Sequence, residues 1–234
     1  YLEQFYIENL KLTKAAIKKS IGEDQLIMQA ISNISELDKS SNLLIKRLRE
    51  WYSLYLPELS EKIDNHETFL ELTAKPKPVL AKDLNLSETM GADLRKQEVD
   101  QIRLLADQIK TMYELRKKHE LYLNEVMQKY CPNILELAGT TIGAKLIELA
   151  KGLKHLALLP ASTIQLLGAE KALFRHIKTG ARSPKHGVII NHPYVQNVSR
   201  NLKGKAARML ADKLSLCARL DYFKGEFKAK EYRT

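Results

Sequence analysis

The chain has 234 residues and a formal charge of +10, enough length for one large or two small domains around a substantial core. No apolar run approaches the roughly 18 residues needed to span a bilayer and nothing reads as a signal peptide, so a soluble, intracellular protein with no membrane association is expected. Cys131 and Cys217 are the only cysteines, too far apart for a metal-ligand pair, which argues against a disulfide framework or a zinc site.

The charge is unevenly placed. Residues 1–167 carry 23 Lys/Arg and 23 Asp/Glu, whereas residues 168–234 carry 15 and 5. The excess therefore sits entirely in the last 67 residues. Such concentration points to a localised anionic partner, nucleic acid foremost, with an anionic membrane or an acidic protein as the other candidates. A start at Tyr1 rather than Met reads as an excised fragment.

In chain order, residues 1–22 form an opening segment with Tyr1, Phe5, Tyr6 and Leu10 as apolar anchors and Gly22 as an interruption. A coiled-coil hairpin is expected over 23–130. From Glu23 to Pro57, Ile27, Ile31, Ile34, Ile45, Leu48, Tyr52 and Tyr55 keep heptad a/d phase and predict a helix of about nine turns. From about Ala92 to Tyr130 the stripe Ile102, Leu105, Ile109, Met112, Leu123 and Val126 predicts a second. Both seams are interrupted, by Asp38 and Ser41 on the first helix and by Arg116 and His119 on the second. Antiparallel pairing either sets these residues into a polar layer that fixes register, or lets Leu37 and Leu44 fill the seam while the charges reach outward. Trp51 is expected in the hairpin core.

Between the long helices, residues 57–91 contain Pro57, Pro76, Pro78 and Gly91 and read as an irregular tip with one short helix near His66 to Thr73. The tip is rich in Leu56, Leu59, Phe69, Leu70, Leu72 and Leu80. More apolar surface gathers there than a two-helix seam covers, so the charge-balanced hairpin is expected to form a homodimer tip to tip; the alternative is that the tip folds back on its own hairpin.

After Cys131 the helices shorten, punctuated by Gly139, Gly143, Gly152 and Pro160, and a second compact domain is expected over 131–234. Gly143 to Ala150 reads as a buried helix and Ser162 as an N-cap. Within Ala169 to Lys178, Ala169, Ala172, Leu173 and Ile177 recur at helical spacing. Lys171, Arg175 and Lys178 then share one face, spaced to meet successive phosphates of a strand. Gly180 ends that helix, and Arg182, Lys185 and His186 follow on a loop kinked by Pro184. Val188 to Ile190 is too short to classify, and Pro193 to Asn197 opens another helical turn. A last helix, Gly204 to Tyr222, buries Ala207, Leu210, Leu214 and Cys217 and presents Lys205, Arg208 and Arg219 as an extension of the basic surface.

Catalytic chemistry finds little support. None of the six histidines stands in an i,i+4 pair enclosing a glutamate, the spacing of a zinc-bound base. His192 reads as a structural histidine and His186 as a contact to base or phosphate. The run Gly139 to Lys145 lacks the Gly-x4-Gly-Lys-Ser/Thr spacing of a phosphate loop. Glu170 is a first-turn acid favoured by the helix dipole. No cofactor and no metal is expected, and a nuclease using His186 with Arg175 is a remote alternative.

The run Gly168-Ala169-Glu170-Lys171-Ala172-Leu173-Phe174-Arg175 resembles the signature of the Nop-domain family. Pro160 to Gly168, Lys205-Ala206-Ala207-Arg208 and Arg47-Leu48-Arg49-Glu50-Trp51-Tyr52 are also similar to that family, so the resemblance covers nearly the whole chain. Asn191-His192-Pro193-Tyr194 and the lack of a Lys-rich tail look most like archaeal members in box C/D guide-RNA particles; nucleolar homologues and a spliceosomal factor share the domain.

The resemblance implies an all-α protein, a long antiparallel coiled-coil hairpin followed by a compact helical Nop domain. It implies a non-catalytic scaffold that binds kink-turn guide RNA together with a kink-turn-binding ribosomal-type protein, in a particle directing RNA 2′-O-methylation, and that homodimerises through the coiled coil. The spliceosomal version, on a kink-turn snRNA, is the alternative. The family's RNA-contacting motif maps onto Lys171, Arg175, Lys178, Arg182, Lys185 and His186, with Lys205 and Arg208 beside them and Ala169, Glu170 and Ala172 on the side of the protein partner. Fibrillarin is expected to be recruited through an N-terminal domain, which does not precede Tyr1. The implied location is cytoplasmic for an archaeal protein, and nucleolar or nuclear for a eukaryotic one.

Overall fold

A computed structural model describes residues 2–86 and 88–233. It is all-α: fourteen helices and one 3₁₀ turn, with no strand among the described residues. Two compact units divide it, residues 33–119 and residues 1–32 with 120–234.

The helices of the first unit are α2 (Glu23–Tyr52), α3 (Pro57–Lys62), α4 (His66–Thr73), α5 (Lys77–Asp83) and α6 (Lys96–Tyr130), of which α2 enters it at 33 and α6 leaves it at 119. Ile45, Leu48 and Tyr52 of α2 and Ile102, Ala106 and Ile109 of α6 form the facing stripes of its core. The expected irregular tip is three short helices, each with a local reason to start. Pro57 stands at the first position of α3, where its missing N–H costs nothing. Asn65 caps α4 by accepting from the Glu67 and Thr68 amides at 2.9 and 3.1 Å. Pro78 lies in the first turn of α5.

These short helices close over the long ones and correct the reading of an exposed apolar tip. Leu56, Leu59, Phe69, Leu70 and Leu80 are buried, and Leu72 is half-buried against the same core. Tyr52 meets Phe69 edge-on at 5.5 Å. The Arg49 guanidinium lies 4.4 Å above the Phe69 ring and donates to the carbonyls of Ser60 and Asp64 at 3.1 and 3.0 Å. Trp51, expected in the core, is instead 38% exposed, because its neighbour Tyr52 takes the inward position. Gly91 passes so close to Tyr55 that an added Cβ would lie 2.1 Å from the Tyr55 carbonyl oxygen, which only glycine permits.

The interrupted seam does carry polar pairs. Arg116 Nε donates to Asp38 Oδ1 at 2.6 Å, and buried Ser41 returns its hydroxyl to the Leu37 carbonyl at 2.6 Å.

The other unit holds α1 (Leu2–Ser20), the first residues of α2, the end of α6, α7 (Pro132–Ala138), α8 (Thr140–Ala150), α9 (Leu153–Leu158), α10 (Ala161–Leu166), α11 (Glu170–Thr179), α12 (Pro193–Gln196), α13 (Lys203–Tyr222) and α14 (Ala229–Tyr232). The opening segment is thus a continuous helix over Leu2–Ser20 that buries no residue; Phe5, Tyr6 and Leu10, expected as anchors, are exposed, and Tyr1 lies outside the described residues. Helix α13 is the axis of this unit, packed against α7, α9, α10 and α12. It buries Ala206, Ala207, Ala211 and Ala218 among larger side chains, and these small residues allow close helix approach. Ser162 is not a cap, since Pro160 holds that position of α10. Val188–Asn191 forms a 3₁₀ turn that buries Ile189.

Candidate nucleic-acid interface

The basic segment is built on α10 and α11. Gly168, at φ 86°, turns the chain between them, and an added Cβ there would lie 2.5 Å from Val188 Cγ2. Glu170 reaches back to accept the Gly168 amide at 2.7 Å, closing the turn that begins α11. At the other end Gly180 takes φ 69° as the C-cap. Thr179 donates to the Arg175 carbonyl at 2.7 Å, and the His176 ring bonds the Ala181 carbonyl.

Lys171, Arg175 and Lys178 stand at i, i+4 and i+7 on α11, all exposed. Phe174 and Ile177 beside them are 60% and 69% exposed. For Ile177 this corrects the expectation of an inward-facing residue: Ala172 and Leu173 are half-buried, while the helix as a whole buries nothing. The face therefore combines cations with uncovered apolar surface.

The loop after Gly180 carries Arg182, Lys185 and His186, and its backbone is held by α10. Gln165 Nε2 donates to the Lys185 carbonyl at 2.6 Å, the Gly187 amide donates to the Gln165 carbonyl at 2.7 Å, and the Val188 amide to the Leu167 carbonyl at 2.8 Å. At Gly187 a Cβ would sit 1.9 Å from the Leu167 carbonyl oxygen, so the approach admits glycine alone. Gln165 and Gly187 fix this loop, and neither stands out in the sequence, because their roles rest on pairings some twenty residues apart.

The stem of Lys185 runs beside Gly204 at the start of α13, its Cδ 3.5 Å from where a Cβ would be. The basic loop thus lies next to the start of the helix that presents exposed Lys205 and Arg208. Arg219, also expected on this surface, is exposed and donates Nε–H to the Ala157 carbonyl at 3.3 Å. None of Lys171, Arg175, Lys178, Arg182, Lys185, Lys205 and Arg208 makes an ion pair among the described residues. Their charge is left uncompensated, the electrostatic condition under which a basic surface attracts polyanions. Of the residues expected at a protein partner, Ala169 and Ala172 are half-buried and Glu170 is exposed.

His192 is held at both ring nitrogens: Nε2 donates to the Leu137 carbonyl at 2.9 Å and Nδ1 accepts the Tyr194 amide at 3.2 Å. Burial and the nearby Arg233 charge keep its pKa below the usual histidine value, despite the carbonyl bond. The thiols of Cys131 and Cys217 are buried and pushed up by that burial, Cys217 to about 12. Among the described residues no His/Cys/Asp/Glu cluster is arranged to hold a metal, and no helix is long and apolar enough to cross a membrane.

Comparison with known proteins places this geometry. The family model described as "Nop: snoRNA binding domain, fibrillarin" matches residues 33–233. An uncharacterised NOP5 family protein of Methanocaldococcus jannaschii is 42% identical across 99% of this chain and 60% of its own length. Nucleolar protein 56 of Saccharomyces cerevisiae is 33% identical across 92% of this chain and 47% of its own, and nucleolar protein 58 of Sclerotinia sclerotiorum 37% identical across 85% and 38%. The chain thus spans roughly two fifths to three fifths of these relatives. Among solved structures, a chain of a fibrillarin/Nop5p complex superposes with a TM-score of 0.56 at 26% identity, covering 100% of this chain and 75% of that one. With its α11 signature, its anchored basic loop and a family match from residue 33 to residue 233, the chain belongs to the Nop family.

Proposed function

We propose that this chain is the RNA- and partner-binding part of a non-catalytic scaffold, which grips a kink-turn guide RNA together with a small kink-turn-binding protein in a box C/D particle directing RNA 2′-O-methylation. The observation that carries this reading is the uncompensated cation row Lys171, Arg175 and Lys178, flanked by exposed Phe174 and Ile177. Cations alone would bind any polyanion. Cations bordered by uncovered apolar side chains fit a composite surface, with phosphate on one side and protein on the other. Lys185, Arg182, His186, Lys205 and Arg208 extend the phosphate-facing side, and Ala169, Glu170 and Ala172 lie toward the protein partner.

In this reading residues 131–234 carry RNA binding and residues 23–130 a coiled-coil hairpin that pairs two copies. Leu56, Leu59, Phe69, Leu70 and Leu80 are spent inside one chain, so the pairing surface is sought on exposed side chains of the hairpin. Fibrillarin supplies the methyl transfer, as the fibrillarin/Nop5p neighbour suggests, and the scaffold positions it without chemistry of its own.

A gel shift of kink-turn RNA across a salt series, with and without the kink-turn-binding protein, tests the reading. Affinity is expected to be weak on bare RNA and to rise when the protein has fixed the RNA's shape. Replacing Lys171, Arg175 and Lys178 together with Ala should weaken binding and lower the salt slope by about one unit or less per lost contact. Labelled RNA should stay intact throughout. Equal affinity for bare and protein-bound RNA, or an unaffected triple variant, would overturn the proposal.

A further inference from the structure

A cavity of about 310 Å³ opens between α7, α12, α13 and α14, away from the row on α11. Its volume falls in the range of small-ligand sites. The floor is apolar, made by Leu137, Leu210 and Met209; Tyr194 and Tyr232 line it, and Lys213 and Arg233 supply the charge. No carboxylate lines it. Beside it, Glu136 pairs with Arg233 Nη1 at 3.0 Å, on an Arg233 side chain that is 70% exposed.

Two further features tie the cavity to RNA. Lys205, Met209 and Lys213 follow one another at i+4 spacing, so one row of α13 runs from the end beside Lys185 to the cavity. The Lys205 to Lys213 path is about 12 Å along the helix. The backbone that carries Tyr194 is also set in advance, because both nitrogens of His192 are engaged, one with Leu137 and one with the Tyr194 amide. A tyrosine on a fixed backbone has only its own side-chain rotations left to lose when a planar ligand stacks on it.

Resting on the RNA-binding reading above, we infer that this cavity holds one unpaired nucleotide of the bound RNA, its base stacked on Tyr194 and its phosphate held by Lys213 and Arg233. A base offers an aromatic face to tyrosine whatever its sequence, and a phosphate matches Lys213 together with the Arg233 donors that Glu136 does not take. An apolar peptide would use the floor equally well but would bring no anion to Lys213.

The test uses the full chain and two forms of kink-turn RNA, one blunt and one with a short single-stranded extension. The extension should tighten binding about tenfold, in the range of a single stacked base. Tyr194→Ala and Lys213→Ala should each abolish that gain and leave blunt RNA bound as before, while Tyr194→Phe retains it. A photoreactive 4-thiouridine in the extension should cross-link to Tyr194 or Tyr232. Bare single-stranded oligoadenylate, which needs no kink-turn, separates this site from the row on α11. If blunt RNA fails to bind but the oligonucleotide still requires Tyr194, the kink-turn reading falls and the nucleotide site stands. No gain from the extension, cross-links elsewhere, or a Tyr194→Ala loss seen only when the kink-turn protein is present would each overturn the nucleotide site.

Discussion

The Asp221 carboxylate grips Asn133 twice, accepting its backbone amide at 3.0 Å and its side-chain amide at 2.8 Å, and takes the Ile134 amide at 2.9 Å with its other oxygen. A residue near the end of α13 thereby caps the start of α7. Asn133 passes the connection on, its Oδ1 accepting the Lys228 and Ala229 amides at 2.8 and 3.0 Å at the start of α14. Asp221→Ala would strand three buried donors. A loss of about 2–4 kcal/mol is expected, read as a lower urea midpoint. A variant as stable as the parent would show that water replaces the carboxylate.

His192 makes stability depend on pH. Its ring is bonded as the neutral Nε2–H tautomer, and burial lowers its proton affinity when folded. The folded state therefore binds this proton less readily than the unfolded chain, whose histidines titrate near about 6.5. The contribution is complete above that value and fades as pH falls through the lowered folded one. His66, also lowered by burial and then by Arg49 and Lys46, acts with the same sign. Unfolding free energy should fall between about pH 7.5 and pH 5, and His192→Gln should flatten part of that fall.

Gly187→Ala should detach the basic loop. Its new methyl would collide with the Leu167 carbonyl, so the loop must leave α10 and abandon the Gln165 and Leu167 bonds. RNA affinity should drop more than in Arg182→Ala, although no charge has been removed. Equal affinity in Gly187→Ala and the parent would show that the loop's position is irrelevant to binding.

Phe69→Ala separates interior from interface. Phe69 is fully buried between Tyr52 and the Arg49 guanidinium. Its truncation should cost about 3–5 kcal/mol of stability, as for a large core side chain. Sedimentation below the unfolding temperature should show the same assembly state as the parent; dissociation of a still-folded variant would return this side chain to an interface.

The long helices were legible because their heptad phase repeats over many turns, enough for the pattern to outweigh local exceptions. Between Leu56 and Leu86 only the helix His66–Thr73 was, and the two short helices on either side of it were not. Pro57 and Pro78 look like breakers when the eye is following a long helix, yet both stand where a short helix begins. Trp51 misled for a related reason: in a row of apolar neighbours size suggested burial, but the angular position belongs to Tyr52. At the interface, the spacing of Lys171, Arg175 and Lys178 could be read directly from helical periodicity. The supports could not, since Gln165 meets Lys185 and Asp221 meets Asn133 only through packing across 20 and 88 residues of sequence.

The Gln165 clamp bears on how fast the molecule can capture its ligand. A cationic loop that had to order itself on the RNA would add a slow step after each collision and make capture temperature-sensitive. Here the backbone of Lys185 and Gly187 is already tied to α10, so productive encounters need only diffusion and charge. Association should then approach the electrostatically steered regime and slow steeply with added salt, while lifetime is governed by the contacts made afterwards.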